Sequence, residues 1–487
     1  MNDQRPIKVL FTSAEAEPFY KVGGLGDYAG SLPIALKNFF SGLNLDLDIR
    51  VVLPLHEKKS IKQFNLEQSF SLVIQGKGQT NECKVFEKNI DGITHYFIRQ
   101  VQPALASEAI YGEDQYLTAY KFALFSVTVL QMIKKLDWVP DIIHTNDWHT
   151  ALINHLVRSK RTEPVQKPAT ILTIHNMPFM GYGSEPVLSE FGVVPCAEDA
   201  FPAWAQNLPL PMGIAAADQI VAVSPSYADE LKTSYFAYGL ENYFLAHPEK
   251  LTGIINGIDY DRWDPRTDTD ITCQFSEENL NARIENKKAL FDEIGFEFDL
   301  DSPLLVVISR LESQKGIDLI LDALSETADL NWKAVILGSG HHGYEYAFRA
   351  LERILPNKLH AMMEYNPLLA KKLYASGDMI LMPSLYEPCG LSQMIAMRYG
   401  CIPIAHAVGG LKDSITTMPE INRTGFLFKP ATKTSFIRCL KKSIKTFNDQ
   451  KKWRRIQINA MQKDFSWRQS AASYAEIYKS LARLVLK

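Results

Sequence analysis

The chain has 487 residues, which at roughly 100–200 residues per domain predicts two large domains or three ordinary ones. Its 27 glycines and 25 prolines fall far below the roughly 25% share that marks low-complexity chains, which excludes a long disordered protein. The formal net charge of −3 excludes binding of nucleic acid or an anionic membrane by the molecule as a whole, so any polyanion site must be local.

The first half of the chain alternates short apolar runs with helical patterns, as parallel strands joined by crossover helices do. The predicted strands lie near 7–13, 49–53, 141–145, 169–174, 219–223 and 251–255. The predicted helices lie near 27–40, 116–135, 148–158 and 225–233. The apolar stretch 120–133 is shorter than the roughly 20 residues that span a bilayer, so it predicts a buried helix.

A polar, turn-rich segment at 263–270 separates this half from a second series of the same kind. The second set of predicted strands lies near 304–308, 333–338, 359–362, 378–382, 401–405 and 426–428. Its helices lie near 317–327, 343–354, 367–375, 391–399 and 433–447. We therefore predict an α/β protein with two Rossmann-like doubly wound domains, residues 1–262 and 263–465, facing a central cleft. Residues 466–487 are predicted to form a helix that crosses back to the first domain.

The six cysteines are widely spaced, without a CxxC pair or a histidine at metal-ligand spacing. This pattern argues against a disulfide scaffold or a zinc site and fits a reducing compartment. The amino terminus has no cationic segment followed by an apolar one, which is the pattern of an export signal. We therefore expect a cytoplasmic protein.

A glycine-rich segment, KVGGLGD at 21–27, follows the first predicted strand. Its glycines allow backbone N–H groups to approach a ligand, the following helix favours an anion, and Lys21 adds a positive charge. The segment matches neither the dinucleotide pattern GxGxxG nor a P-loop. Taken alone, it is equally well explained as a structural strand-to-helix turn.

Three charged residues follow strands in the second domain. Arg310 and Lys315 come after the strand 304–308, where a guanidinium and an ammonium group can grip one diphosphate together. Glu387 lies between the strand ending at 382 and a Pro-Cys-Gly helix start, where a carboxylate can accept hydrogen bonds from sugar hydroxyls. The alternatives are solvated loop cations and an ordinary acidic residue at a helix N-terminus.

Eight segments resemble, in order, the motifs of the bacterial glycogen synthase and plant starch synthase family, which are ADP-glucose-dependent glycosyltransferases of family five with the GT-B fold. The segments are KVGGLGD at 21–27, HTNDWHTA at 144–151, TIHN at 173–176, VSPSYADE at 223–230, INGID at 255–259, SRLESQKG at 309–316, YEPCGLSQ at 386–393 and GGLKD at 409–413. The resemblance covers nearly the whole chain, although Leu385 and Val408 stand where many relatives carry Arg and Thr. It implies retaining transfer of glucose from ADP-glucose to the non-reducing-end 4-hydroxyl of an α-1,4-glucan, as in glycogen biosynthesis.

The resemblance also implies roles for individual residues. The expected catalytic residues are Glu387, which holds or polarises the glucose, His175 beside the anomeric carbon, and the diphosphate-binding Arg310 and Lys315. The other expected donor contacts are Lys21, Gly23, Gly24, Cys389, Gly390 and Leu391. The residues expected on the sugar and acceptor side are Asp27, Asp147, Asn176 and Asn256.

Stabilisation of the departing diphosphate is the main chemical demand of such a transfer. Two cations and helix N–H groups can meet it without a metal, and no DxD-like metal motif occurs near these loops. His144, Asp147 and His149 have a spacing that suggests a metal site, but anchoring of a helix start explains them better. His341 and His342 follow a Gly-Ser-Gly segment and are as well explained by an exposed loop as by contact with a ribose. We therefore expect no metal and no pyridoxal phosphate.

The sequence leaves two alternative functions open. One is a related GT-B transferase that uses UDP-glucose or a small acceptor, because the base-pocket residues cannot be placed from sequence. The other is a catalytically silent glucan-binding protein on the same fold. The expected partners are ADP-glucose and an α-1,4-glucan, with no nucleic acid and no membrane, and the sequence does not predict an oligomeric state.

Overall fold

The computed structural model describes residues 5–56, 62–101, 109–159 and 168–485. The chain divides into two compact units: unit 1 comprises Met1–Gly257 and Trp467–Lys487, and unit 2 comprises Ile258–Ser466. The divisions lie close to the predicted boundaries after 262 and 465. The final helix belongs to unit 1.

Unit 1 is built on a nine-stranded sheet with the order β3-β4-β5-β2-β1-β6-β7-β8-β9. Its strands are β1 Ile7–Thr12, β2 Leu47–Pro54, β3 Glu67–Gln75, β4 Thr80–Ile90, β5 Ile93–Gln100, β6 Ile142–Asn146, β7 Ala169–Ile174, β8 Gln219–Ala222 and β9 Leu251–Gly253. Its helices are α1 Gly24–Gly42, α2 Gln115–Lys135, α3 Asp147–Arg158, α4 Glu185–Glu190, α5 Pro209–Ala216, α6 Pro225–Glu230, α7 Ser234–Ala237, α8 Glu241–Ala246 and the final helix, α17 Trp467–Val485. From β5 to β9 all neighbouring strands are parallel, and the β1 core residues Val9, Leu10 and Phe11 are fully buried, as their apolar run predicts.

Strands β3, β4 and β5 are missing from the predicted set, and the pairs β3–β4 and β4–β5 are antiparallel. β3 is mostly exposed and β4 mixes buried with exposed positions, so neither reads as the continuous apolar run of a buried parallel strand. Asp91 and Gly92, both with positive φ, form a two-residue turn between the paired residues Ile90 and Ile93. Asp-Gly is a preferred sequence for such a turn. It is the feature of the sequence from which this hairpin, absent from the predicted set, could have been identified.

One described helix, α2, is long and apolar enough to cross a membrane by length and composition. However, 72% of its most apolar window is buried inside the protein. Leu124 and Val129 are fully buried on it. The prediction of a buried helix over 120–133 is therefore confirmed.

Unit 2 contains a parallel six-stranded sheet with the order β12-β11-β10-β13-β14-β15. Its strands are β10 Leu304–Ile308, β11 Lys333–Leu337, β12 Leu359–Met362, β13 Met379–Met382, β14 Ile402–His406 and β15 Phe426–Phe428. Its helices are α9 Arg283–Ile294, α10 Ile317–Glu326, α11 His342–Ile354, α12 Pro367–Ser376, α13 Ser392–Arg398, α14 Gly409–Ser414, α15 Lys433–Phe447 and α16 Gln450–Gln462. The doubly wound α/β class is thus confirmed for this unit, since the strand order is the 3-2-1-4-5-6 order of Rossmann folds.

Each sheet contains a point where the strand order reverses. In unit 2 this switch point lies between β10 and β13, and in unit 1 it lies between β1 and β6. Because the connections on either side of a switch point leave in opposite directions, a crevice opens at the carboxyl ends of the strands there. Ligand-binding residues are therefore expected in the loops that follow β10 and β13, and in those that follow β1 and β6.

Candidate active site

The predicted catalytic residues, with Lys21 and Asp147, lie at these switch points or just after the neighbouring strand β7. In unit 2, Arg310 and Lys315 follow β10, and Glu387 follows the neighbouring strand β13. In unit 1, Lys21 follows β1 and Asp147 follows β6, while His175 follows the next strand, β7.

Lys315 and Glu387 form an ion pair in unit 2. Lys315 Nζ lies 2.9 Å from Glu387 Oε1 and 2.6 Å from Oε2, and Ser384 Oγ donates to Oε2 over 2.9 Å. The two charged side chains are only 18% and 8% exposed. Lys315 is thus not a solvated loop cation, and its charge and that of Glu387 must be considered together.

Arg310 lies on the same loop but is exposed to solvent. Within the part of the chain that the structure describes, its guanidinium makes no hydrogen bond or ion pair. The carbonyl oxygen of Arg310 accepts from the N–H of Glu312 over 3.1 Å, so the backbone beneath the side chain is held. Five unused N–H donors on a fixed loop suit a bidentate contact to a phosphate.

Gln393 hydrogen-bonds to the backbone of the Pro-Cys-Gly segment that follows Glu387. Its Nε2 donates to the carbonyl oxygens of Cys389 and Gly390, both over 2.9 Å, and to Ser414 Oγ over 3.1 Å. Gly390 has a φ of 69°, a conformation that glycine adopts readily. Leu391 immediately precedes α13, and the first N–H groups of a helix have no partner within it. This segment can therefore present backbone donors to an oxygen-rich ligand.

Two glycines of the GGLKD segment are required by close backbone contact with the Glu387 loop. A Cβ added at Gly409 would lie 2.1 Å from the carbonyl oxygen of Glu387. One added at Gly410 would lie 2.0 Å from that of Cys389. The start of α14 therefore packs directly under the Glu387 loop, which explains why this segment contains adjacent glycines.

Asp147 organises the corresponding loops of unit 1. It has a φ of 52°, and its Oδ1 accepts from the N–H groups of His175 over 2.7 Å and of Asn176 over 3.2 Å. Burial raises the pKa of Asp147 to about 7, against the lowering effect of these two backbone N–H groups. In this structure Asp147 holds the His175–Asn176 backbone in place.

His175 lies at the end of β7 with its ring fixed on two sides. Its Nε2 is 3.0 Å from Asn146 Oδ1, and its ring packs edge-on against the ring of Tyr28, with centroids 4.5 Å apart. Burial lowers the pKa of His175 to about 3. The imidazole is therefore neutral, so it acts as a dipole or a hydrogen-bonding group rather than as a cation.

Two predicted asparagines carry side-chain oxygens without a partner. Asn176 Oδ1 and Asn256 Oδ1 are both buried and make no hydrogen bond with any described residue. Buried polar atoms in native proteins are nearly always satisfied, so such atoms point to a ligand or water that completes them. Sugar hydroxyl groups are donors of the required kind.

The glycine-rich segment differs from the sequence-based expectation. Helix α1 begins at Gly24, earlier than the predicted start near 27, with Gly23 as its N-cap. Lys21 Nζ is paired with Glu17 at 3.2 Å and with Asp27, predicted on the sugar side, at 2.7 Å. The predicted strand-to-helix turn is therefore shorter than expected, and its lysine is already paired with carboxylates of its own unit.

Glu15 is a site residue that the sequence reasoning missed. Its carboxylate accepts from the N–H groups of Val22 and Gly23 and from the hydroxyl of Tyr111, so it occupies donors that were expected to face the ligand. Burial, partly offset by these hydrogen bonds, raises the pKa of Glu15 to about 7. The available signal was its position just past the carboxyl end of β1, at the switch point.

Replacement of Glu15 by glutamine should make the thermal stability of the protein less sensitive to pH. The folded-state pKa of about 7 lies above the ordinary value of 4.5, so the folded state binds more protons than the unfolded state between these pH values. Wild-type stability therefore falls as the pH rises through this window, on the order of 3 kcal/mol for this one group. The difference in unfolding temperature, Glu15→Gln minus wild type, should increase between pH 5 and pH 7.5. A difference that stays constant over this range would contradict the raised pKa of Glu15.

The structure bears on two alternatives raised by the sequence, a metal site that includes His144 and a ribose contact by His341 and His342. Both ring nitrogens of His144 are engaged by protein hydroxyl groups, those of Tyr478 and Thr173, each at 2.7 Å. No group of three or more His, Cys, Asp or Glu side chains suited to a metal occurs among the described residues. His341 Nδ1 accepts from the N–H of Gly343 over 3.1 Å and so caps α11, while the side chain of His342 is fully exposed.

Comparison with known proteins shows similarity over nearly the whole chain. Residues 8–246 match the family described as starch synthase catalytic domain, and residues 291–462 match glycosyl transferases group 1. The chain is 35% identical over 493 residues to the glycogen synthase of Clostridioides difficile, covering 98% of this chain and 100% of that protein. It is 37% identical over 488 residues to the glycogen synthase of Gloeobacter violaceus, with the same coverage. The solved catalytic domain of starch synthase IV from Arabidopsis thaliana, bound to ADP and acarbose, matches with a TM-score of 0.87 at 29% identity, covering 98% of this chain and 100% of that one.

Proposed function

The chain belongs to the bacterial glycogen synthase and plant starch synthase family of glycosyltransferases, and we propose that it transfers glucose from ADP-glucose to the non-reducing-end 4-hydroxyl of an α-1,4-glucan. As a glycosyltransferase with glycogen synthase function, it uses a nucleotide-sugar donor and a glucan acceptor.

The observation that carries the proposal is the arrangement at the switch point of unit 2. The guanidinium of Arg310, which has no partner among the described residues, lies on the same loop as the Lys315–Glu387 ion pair. In the proposed reaction, Arg310 and Lys315 neutralise the negative charge that accumulates on the departing ADP. A charge contact at ~4 Å is worth roughly 4 kcal/mol at an effective dielectric constant near 20, before desolvation is subtracted. Glu387 positions both Lys315 and the glucose.

The residues of unit 1 are proposed to act on the sugar. The neutral ring of His175 lies beside the anomeric carbon without adding positive charge. Because its Nε2–H donates to Asn146 Oδ1, its Nδ1 can only accept a hydrogen bond. The unsatisfied oxygens of Asn176 and Asn256 accept hydrogen bonds from hydroxyl groups of the glucose or the glucan. Asp147 keeps the His175 loop in place, and Lys21 exchanges its present carboxylate partners for the donor diphosphate.

A steady-state assay with glycogen as acceptor tests the donor assignment. We expect a higher kcat/KM with ADP-glucose than with UDP-glucose, because starch synthase IV, the structural match, holds ADP. A clear preference for UDP-glucose would overturn the assignment.

In the same assay, activity should survive dialysis against EDTA, since Arg310, Lys315 and helix N–H groups are proposed to replace a metal. Loss of activity that Mg²⁺ or Mn²⁺ restores would contradict that part of the proposal.

Retention of configuration is proposed to occur by same-face attack, without a covalent intermediate. The acceptor hydroxyl loses its proton towards the leaving phosphate while the carbon is shielded near His175. A double displacement would instead require a carboxylate nucleophile. Mass spectrometry of enzyme quenched during turnover, or incubated with a fluorinated donor analogue, should show no glycosyl adduct. An adduct on Glu387 or Asp147 would establish the covalent route instead.

A further inference from the structure

A fully buried polar cluster lies in the core of unit 1, centred on His144. His144 Nδ1 is 2.7 Å from Tyr478 Oη, and Nε2 is 2.7 Å from Thr173 Oγ1. Tyr28 Oη donates to Tyr474 Oη over 2.9 Å and lies 3.2 Å from Thr173 Oγ1. All five side chains have no exposed surface. We call this set the His144 cluster.

Two members of the cluster come from the last helix of the chain. Tyr474 and Tyr478 are four residues apart on α17, so they lie on the same face of the helix. The helix is fixed at its start, where Ser470 Oγ donates to the carbonyl oxygen of Ile255 over 2.6 Å. There the backbone of Gly257 also packs so closely on Trp467 that an added Cβ would lie 2.7 Å from Trp467 Cα. The two tyrosine hydroxyls are therefore held at fixed positions.

The hydrogen bonds of the cluster are mutually dependent. Burial lowers the pKa of His144 to about 3, so the imidazole is neutral and donates from only one ring nitrogen. One of its two short contacts, to Tyr478 or to Thr173, therefore has His144 as donor and the other has it as acceptor. Loss of one hydroxyl leaves a buried ring nitrogen unsatisfied and removes what holds the other groups in place.

The cluster is linked to His175 by one ring contact and by the backbone of β7. The ring of Tyr28 packs edge-on against the His175 ring, with centroids 4.5 Å apart and an interplanar angle of 76°. Thr173 lies on β7 just before His175, so its hydroxyl anchors the strand end that carries the histidine. The Tyr28 hydroxyl is in turn held by Tyr474. Tyr474 is therefore linked to His175 through Tyr28, and Tyr478 is linked to it through His144 and Thr173.

We propose that Tyr474 and Tyr478 are positioning residues for glucosyl transfer, which act through His144, Thr173 and Tyr28 to hold the His175 ring. The C-terminal helix then has a role in the reaction in addition to its packing in unit 1. The inference rests on the proposed function, which puts His175 beside the anomeric carbon.

The phenylalanine variants of the two tyrosines test the proposal, because they remove the hydroxyl and keep the ring. With ADP-glucose and glycogen, Tyr474→Phe and Tyr478→Phe should lower kcat about tenfold to a hundredfold, since small misplacements of a reacting group cost that much. The KM for ADP-glucose should change less than about twofold, because the diphosphate-binding residues are untouched. If Tyr478→Phe does not fold, Tyr474→Phe, whose hydroxyl contacts Tyr28 directly, decides the question.

Tyr243→Phe is the matched control for a merely structural effect. Tyr243 is also fully buried in unit 1, and its hydroxyl donates to the carbonyl oxygen of Ile214 over 3.1 Å, outside the cluster. It should lower the unfolding temperature in the same way and leave kcat near the wild-type value. Wild-type kcat in both α17 variants, or an equal loss of kcat in Tyr243→Phe, would overturn the proposal.

A spectroscopic measurement separates this inference from the proposed function. In protein labelled with ¹³C at the histidine rings, the His175 resonance, assigned with His175→Gln, should shift in the two α17 variants and stay unchanged in Tyr243→Phe. An unshifted resonance would overturn the positioning role even if activity falls. If the wild-type protein transferred no glucose from ADP-glucose, the donor assignment would fail while the resonance still reported whether α17 holds His175.

Discussion

Replacement of Lys315 by alanine should lower kcat by about 10²–10³-fold, the usual loss when one group that stabilises a developing negative charge is removed. The ammonium group lies at the switch point of unit 2, where it is 2.6 Å from Glu387 Oε2 and only 18% exposed. Low exposure makes its charge effective, because water does not screen it fully. The affinity for ADP should fall as well, since the diphosphate carries its negative charge in the product.

Lys372 provides the matched control for this substitution. It lies in the same unit and is also paired with a carboxylate, that of Glu293 at 2.7 Å, but both side chains are more exposed. Lys372→Ala should change kcat less than twofold. Lys315→Arg should recover only part of the activity, because a planar guanidinium does not occupy the position of a compact ammonium group. If Lys315→Ala kept kcat within a few-fold of wild type, the proposed diphosphate role would be wrong.

The sequence predicts the parallel cores of both units because each buried parallel strand is a continuous apolar run. β10 is such a run, and its residues Leu304, Leu305 and Val306 are fully buried. Strands β3 and β4 were missed because exposed polar positions interrupt their apolar residues, and β5 was missed because the Asp91-Gly92 turn before it was not used as a signal. The strand order, which decides where the switch points lie, depends on pairing between distant segments and has no local pattern.

In the candidate site, too, local motifs predict individual residues but not the contacts between distant ones. Lys315 and Glu387 were each predicted from the motif around them, but their pairing across 72 positions follows from the adjacency of β10 and β13. Lys21 was predicted as a donor contact without its carboxylate partners, because Glu17 precedes the glycine-rich segment, Asp27 lies in the first turn of α1, and the sequence does not reveal that both approach Lys21. Glu15 was missed because a single acidic residue after a strand has no distinctive spacing. Motifs therefore predict which residues matter, and the tertiary contacts show what each one touches.

Replacement of Glu387 by alanine should lower kcat by at least about 10²-fold. The substitution removes the carboxylate that holds Lys315 and accepts from Ser384 Oγ, and it removes the proposed contact to the glucose. Glu387→Gln keeps the size of the side chain and an acceptor for Ser384 but lacks the charge that fixes Lys315, so its kcat should lie between those of Glu387→Ala and wild type. The KM for ADP-glucose should change less than kcat if the carboxylate acts mainly in the transition state.

A double-mutant cycle tests whether the pair acts as one unit. Because Lys315 loses its anchor in Glu387→Ala, the double variant Lys315→Ala/Glu387→Ala should be about as slow as the slower single variant. The exposed pair Lys372 and Glu293 supplies the control cycle, in which all three variants should keep nearly wild-type kcat. If the two losses in the Lys315–Glu387 cycle multiplied instead, each residue would contribute independently. Glu387 would then act on the sugar alone, and its contact with Lys315 would have no part in the reaction.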